Sequence, residues 1–194
     1  MKTRAELIIL NHTKVRDNAI VIHTLSREFG RRSFLVSVRK GASMALFLPL
    51  SLVEADITDN PRSQLSRASD FVSRNPLNDI RGNVHKNAMT LFISEVLYRV
   101  VREGVYEDGL YEWCEKTILA LEALEGGYAA FNTRFLVELA IALGFAPDTA
   151  ALLPFMDQDD KDNIDALLRY LSFHLGCELN IRSLKVLREL YATR

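Results

Sequence analysis

The sequence predicts an α+β chain, with a five-stranded barrel over residues 1–75 and an all-helical part over residues 76–194. Three observations carry this. Apolar residues sit in short, β-branched or alternating runs as far as Phe71, then recur at helical spacing from Asn83. Turn signals separate the early runs: Arg16-Asp17-Asn18, Glu28-Phe29-Gly30, Lys40-Gly41-Ala42-Ser43 and Asp59-Asn60-Pro61. The charge also divides. Residues 1–75 hold twelve Lys and Arg against seven Asp and Glu, a net of +5, and the remainder carries −6. The whole-chain charge of −1 conceals this separation, which points to a polyanion-binding first half.

Five runs predict the strands. Ala5 to His12 (AELIILNH) alternates loosely, and Ala19 to Leu25 (AIVIHTL) is β-branched. Ser33 to Val38 (SFLVSV) sets Phe34, Val36 and Val38 on one face, and Ser33, Leu35 and Ser37 on the other. Phe47 to Ile57 is the fourth run, and Gln64 to Phe71 a weaker fifth. Five strands in so short a stretch suit a closed barrel, because a flat sheet leaves two edges and half its apolar face uncovered.

The boundary falls near Arg74 to Leu77. Beyond it, Asn83 to Val101 predicts a helix with Val84, Ala88, Leu91, Phe92, Val96 and Val100 at its spacing. A second helix starts at Asp108 or Gly109, buries Leu110, Trp113, Cys114, Thr117, Ile118, Leu121 and Leu124, and ends at Gly126-Gly127. A third runs from Phe131 to Leu143 and is closed by Gly144. Asp157 to Asp162 is an acidic linker before a fourth helix, Ile164 to Leu175, and Ser183 to Tyr191 is a fifth.

A hydrophobic fraction of 48% with 25% charged residues excludes wholesale disorder. No apolar run approaches the roughly 20 residues of a membrane helix, and no signal peptide is recognised. Cys114 and Cys177 lie 63 positions apart in apolar company, which argues against a disulfide scaffold and for a reducing, cytoplasmic setting. His12, His23, His85 and His174 share no ligand spacing, and the Asp157–Asp162 run lacks the glycine and closing Glu of a calcium loop. No metal or cofactor is therefore expected. No phosphate-binding glycine loop, dinucleotide fingerprint or nucleophile elbow is present, which leaves nucleotide hydrolysis and serine-hydrolase chemistry without support.

The basic residues are the most informative set. Lys14 and Arg16 border the first turn. Arg27, Arg31 and Arg32 bracket the turn before the third strand, and Arg39 and Lys40 follow it. Arg62, Arg67 and Arg74 lie near the fifth. Together they predict a phosphate-binding surface on the barrel. Exposed aromatics are few, Phe29 and Phe71 at most, so backbone electrostatics are favoured over base stacking.

The run ELIILNHTKVRDNAIVIHTLSREFGRRSFLVSVRKG carries Asp17 in its polar turn and Ser26, Glu28, Gly30 and Arg31 after its second strand, with Leu48-Pro49-Leu50 opening the fourth. Downstream come ISEVLYRVVREG, then RFLVELAIALGFAP with Arg134, Phe135, Leu143, Gly144 and Phe145, and last NIRSLKVLREL. In this order the chain resembles the RecO recombination-mediator family of DNA repair proteins. It departs from the family in three ways. The stretch APDTAALLPFMD lacks the zinc-binding cysteines of many members. The basic loop after the third strand is reduced to Arg39 and Lys40. The chain is also short between Met156 and Lys161.

The resemblance implies an oligonucleotide/oligosaccharide-binding (OB) barrel over residues 1–75 and a helical domain over 76–194, with no covalent chemistry; without the zinc-binding cysteines no zinc is expected. It implies binding of single- and double-stranded DNA, strand annealing, and work with a RecR-like partner to load recombinase onto DNA coated with single-strand-binding protein. It also implies an apolar pocket for the acidic, Phe-terminated tail of that protein, with Arg134 beside Phe135 as the matching position, and a cytoplasmic, nucleoid-associated location. The competing reading is a RecO-like interaction scaffold with weak or no direct DNA binding.

Overall fold

The computed structural model describes residues 2–39, 43–59, 65–145 and 161–192. Its strands are β1 (Lys2–Arg16), β2 (Ala19–Ser26), β3 (Gly30–Ser37), β4 (Leu52–Thr58) and β5 (Ser66–Asn75). They close in the order β1-β2-β3-β5-β4, and β4 returns to β1. All neighbours are antiparallel except β3 and β5, which run parallel through Phe34–Ser66 and Leu35–Arg67. This is the OB-like barrel of the α+β expectation. β1 is long because it serves two neighbours: Lys2 to Ile8 pair with β4, and Leu7 to Arg16 with β2, with register shifts at Ile9/Asn11 and Lys14/Arg16.

The alternation on β3 falls as the sequence predicts. Phe34 and Val36 enter the barrel core with Leu7, Ile9, Ile22, Val53 and Ile57, and Val38 packs against it. The fourth run behaves differently from the expectation. Ala45–Phe47 form a 3-10 turn, and β4 starts only at Leu52. Pro49 has no N–H for a ladder, and Leu50 adopts φ +60 while its N–H donates to the Ile9 carbonyl at 2.7 Å. Phe47 is buried all the same, meeting Phe71 edge to face at 5.0 Å. The expected start of the fifth strand at Gln64 lies outside the described residues.

The helices are α1 (Asn78–Gly82), α2 (Val84–Val100), α3 (Leu110–Glu122), α4 (Tyr128–Ala142), α5 (Lys161–Leu175) and α6 (Ser183–Ala192). The chain divides into two compact units. One comprises residues 1–77 and 101–115, the other residues 78–100 and 116–194. The first unit thus holds the barrel together with the strap Val101 to Gly109 and the first six residues of α3.

In the second unit, α2 buries ten of its seventeen residues, with Met89, Phe92, Ile93, Val96 and Leu97 inaccessible, and Phe92 meets Phe135 of α4 edge-on. Polar caps join its helices. The Glu122 carboxylate accepts the backbone N–H groups of Asp79 and Ile80, which forms the short α1 that the sequence pattern did not announce. Lys86, 1% exposed, donates to the Glu122 carbonyl at 2.7 Å and pairs with Asp79. That cap stops α3 at Glu122, short of the expected Gly126-Gly127. Glu95 accepts from the N–H and hydroxyl of Ser183 and the N–H of Arg182, capping α6. Gly144, at φ +71, closes α4 as expected, its N–H donating to Ile141 while that of Phe145 donates to Ala140. The acidic linker from Asp157 lies largely outside the described residues.

Phe34 has no exposed surface and sits beside the closing β3–β5 pair. Phe34→Ala is expected to destabilise the barrel by about 3–5 kcal/mol. The readout is a lower urea midpoint with an unchanged denaturant slope.

Candidate nucleic-acid interface

Strand alternation gives the barrel two chemically distinct outer faces. On β1 and β4, residues pointing away from the core meet across the ladder, with Arg4 opposite Asp56 and Glu6 opposite Glu54. Arg4 lies 3.2 Å from both Glu54 and Asp56, and Lys2 lies 2.7 Å from Asp56 and 3.1 Å from Asp70. Hydrogen bonds from Lys2 and then Arg4 hold the Asp56 carboxyl below its ordinary range. Two of the predicted DNA-binding residues join this network. Arg27 lies 2.8 Å from Glu6 and 3.1 Å from Glu115, and Arg74 contacts Glu115, Tyr111 and Glu6. Four cations there face six carboxylates, counting Glu112 at 3.7 Å from Arg27. The structure therefore brings Arg27 and Arg74 to an acidic, internally paired surface.

The opposite face spans β1, β2, β3 and β5. Its rows follow the register: Arg16–Ala19–Ser37, Thr13–Val21–Leu35–Arg67, and Asn11–His23–Ser33. Arg67 stands between buried Ser66 and Ala68, so its side chain points outward, and it is exposed. Arg16 and Arg39 are exposed as well. Among the described residues, the guanidinium groups of Arg16, Arg39 and Arg67 meet no carboxylate. The hydroxyls of Thr13 and Ser37 and the half-buried Val21 and Leu35 share the rows of Arg16 and Arg67.

The other predicted residues sit at the margins. Lys14 pairs with exposed Asp17 at 3.0 Å, a contact of little energetic weight in solvent. Arg32 shares the inward parity of Phe34. It covers the rings of Phe29 and Phe34 and bonds Asp59 and Ser66. Ser66 and then Arg32 hold Asp59 below its ordinary range. Arg31 donates to the Val101 carbonyl at 2.9 Å. Lys40 and Arg62 lie outside the described residues. In the helical unit, the Arg134 side chain is 73% exposed and pairs with Glu138 one turn on. Phe135 is buried against Phe92, so it offers no surface of its own.

Sequence reasoning did not single out the polar row on the cationic face. Ser33 donates to Glu103, so its contact with His23 Nδ1, at 2.9 Å, needs the ring N–H to donate. His23 Nε2 then accepts from the Thr13 hydroxyl at 3.3 Å. The alternation in SFLVSV showed that Ser33 faces outward, but no local signal brings Glu103 to it, seventy positions along. Among the described residues, no three His, Cys, Asp or Glu side chains gather as a metal site would require, and no helix is long and apolar enough to cross a membrane.

Comparison with known proteins adds the family relation. A model described as the C-terminal part of recombination protein O matches residues 81–153. A DNA repair protein RecO from Phocaeicola vulgatus is 31% identical over 146 residues, covering 73% of this chain and 61% of that protein. One from Bacteroides fragilis is 31% identical over 145 residues, with 73% and 60% covered. Against those two relatives, the chain spans about three-fifths of their length. A RecO from Flavobacterium johnsoniae is 23% identical over 196 residues, covering 98% of this chain and 79% of its own.

His23 yields a pH prediction. Partial burial, then the charge of Arg31, holds its ring below the ordinary 6.5, with Glu103 opposing. The unfolded chain thus takes up this proton more readily than the folded one. Stability is full above about pH 6.5 and falls as the pH drops through that value toward the depressed one, by at most about 1.4 kcal/mol per pH unit for one proton. Urea midpoints compared between about pH 7.5 and 5.5 should fall less in His23→Gln than in the parent.

Proposed function

Because this chain belongs to the RecO family of DNA repair proteins, we propose that it acts as a non-enzymatic recombination mediator, binding DNA on the outer β1–β2–β3–β5 face of its barrel. One observation carries the reading: the register sets Arg16 and Arg67 on that side of the barrel, Arg39 follows two residues past outward-facing Ser37, all three are exposed, and among the described residues none meets a carboxylate. Lys14 adds a loosely held charge, and Lys40 and Arg62 belong to the same proposal by their place in the sequence. Hydroxyls in the same rows supply donors for phosphate oxygens, and the contacts carry no base code. By family relation the mediator anneals complementary strands and helps load recombinase onto DNA covered by single-strand-binding protein, together with a RecR-like partner. The proposed location is the cytoplasm, at the nucleoid.

The helical unit is the proposed dock for the acidic, Phe-terminated tail of single-strand-binding protein. Exposed Arg134 supplies a charge-assisted hydrogen bond to a carboxylate of that tail. Arg134→Ala should weaken the tail peptide about tenfold in a fluorescence-anisotropy titration. Unchanged affinity with the fold intact moves the dock elsewhere.

A second reading, a scaffold that recruits partners with little DNA affinity of its own, draws on the internal pairing of Arg27, Arg32 and Arg74. A salt titration separates the two. With three or four phosphates neutralised, log K for single strands should fall with log salt at a slope of about −2 to −3. Joint charge reversal of Arg16, Arg39 and Arg67 should cost about 150-fold in affinity at low salt, taking roughly 1 kcal/mol for each surface charge contact. It should also flatten the slope. Binding that survives the triple change with its slope intact removes DNA from this face.

A further inference from the structure

The cationic face is not open along its whole length. Residues Val101 to Tyr106 cross the start of β3 as a strap, within the same compact unit as the barrel. Four contacts hold it. Arg31 donates from Nη1 to the Val101 carbonyl at 2.9 Å, and the Gly104 N–H donates to the Arg31 carbonyl at 2.9 Å. Gly30, at φ +64, lies so close under the strap that a Cβ there would run into the Val105 carbonyl and meet Tyr106 Cα at 3.0 Å. Finally, the Ser33 hydroxyl donates to the Glu103 carboxylate.

That last contact ends a hydrogen-bond chain. Thr13, His23 and Ser33 are hydrogen-bonded in turn across three neighbouring strands, and the chain's terminal donor is turned toward an anion. Arg31 stands two positions before Ser33 on the same outward face of β3, and its charge is felt at His23. A hydroxyl donor and a guanidinium side by side on a strand, with a histidine behind the hydroxyl, make up the donor set that a phosphate diester uses. In this structure the strap fills it. Glu103 takes the hydroxyl, and the Val101 carbonyl takes the guanidinium.

We propose that Arg31 and Ser33, with His23 behind them, form a phosphate subsite for nucleic acid, and that Glu103 is its internal occupant, displaced when DNA binds. The proposal rests on the barrel-face reading above and extends it from the open cations to the covered end of the same face. Glu103 is solvent-exposed, so its hold is weak enough for a polyanion to overcome. The strap also has a joint suited to lifting: Gly104 holds φ +77 with open space around its Cα. As Glu103 swings away about Gly104, the Ser33 hydroxyl is uncovered beside the Arg31 charge.

The test uses the full chain and a short oligothymidylate. Glu103→Gln keeps a hydrogen-bond acceptor for Ser33 and removes the competing charge. It should raise affinity about three- to tenfold at low salt and steepen the salt slope by about 0.7, one further phosphate. The gain should vanish in a Ser33→Ala background. Unchanged affinity and slope in a folded Glu103→Gln protein overturn the proposal, as does a gain that persists without Ser33. Hydrogen exchange on the parent protein gives an independent reading. The Gly104 amide should exchange faster when the protein is saturated with DNA, and equal or slower exchange overturns the displacement. The triple reversal of Arg16, Arg39 and Arg67 keeps the two ideas apart. If it abolishes binding while Glu103→Gln changes nothing, only the subsite fails. If binding ignores the triple reversal, the barrel face itself is not the DNA site.

Discussion

The short parallel pairing of β3 with β5 is the contact on which the first unit depends. It consists of two residue pairs, Phe34–Ser66 and Leu35–Arg67, and it turns an open sheet into a barrel. Without it, β3 and β5 are free edges, and the inward faces of Phe34, Val36 and Ala68 lose the opposite wall that covers them. With it, the interior is sealed by Leu7, Ile22, Val53 and the edge-on pair of Phe47 and Phe71. The same pairing has a consequence outside. It sets Arg67 in one row with Leu35, Val21 and Thr13, although these residues come from four different strands. The row that joins Arg67 to three other strands is therefore a product of closure.

Charge is sorted by the two outer faces. The chain's early basic residues look alike in sequence, yet their environments differ in kind. Arg27 and Arg74 are held among Glu6, Glu112 and Glu115, where adding a phosphate brings like charge against like. Arg16, Arg39 and Arg67 have no described carboxylate beside them. The ion-paired face serves the fold by knitting β1, β4 and β5 and the start of α3. The cationic face is left available for function.

The helical unit follows another logic. Its core is apolar and ordinary, with Phe92, Val96 and Leu97 of α2 and Phe135 and Leu136 of α4 buried, and Phe92 edge-on to Phe135. Its helix ends are completed from far along the chain. Glu122 caps α1, Lys86 caps α3 and Glu95 caps α6. Each removes an orphan N–H or C=O at a terminus that has no local capping box. These three side chains are polar residues spent on architecture, and Lys86 in particular is too buried to serve a partner.

The sequence by itself determined which segments are strand and which helix, because periods of two and 3.6 are local properties of the chain. It determined the inward set Phe34, Val36 and Val38 for the same reason, and the family relation through motifs that keep their order. It also showed an excess of positive charge in the first 75 residues. Local pattern failed where a partner was distant. The fourth run became a turn at Pro49 and Leu50 because Leu50 bonds Ile9, forty-one positions back. α1 exists because Glu122 caps it, and Val101 to Glu115 joined the barrel's unit. Only the tertiary structure decided which arginines are neutralised, since a carboxylate quenches a guanidinium by proximity in space. Glu6, which the sequence did not single out, disarms both Arg27 and Arg74. Glu103, in a loop with no pattern, reaches Ser33. Composition counts charges, and folding alone sets the distances at which they act.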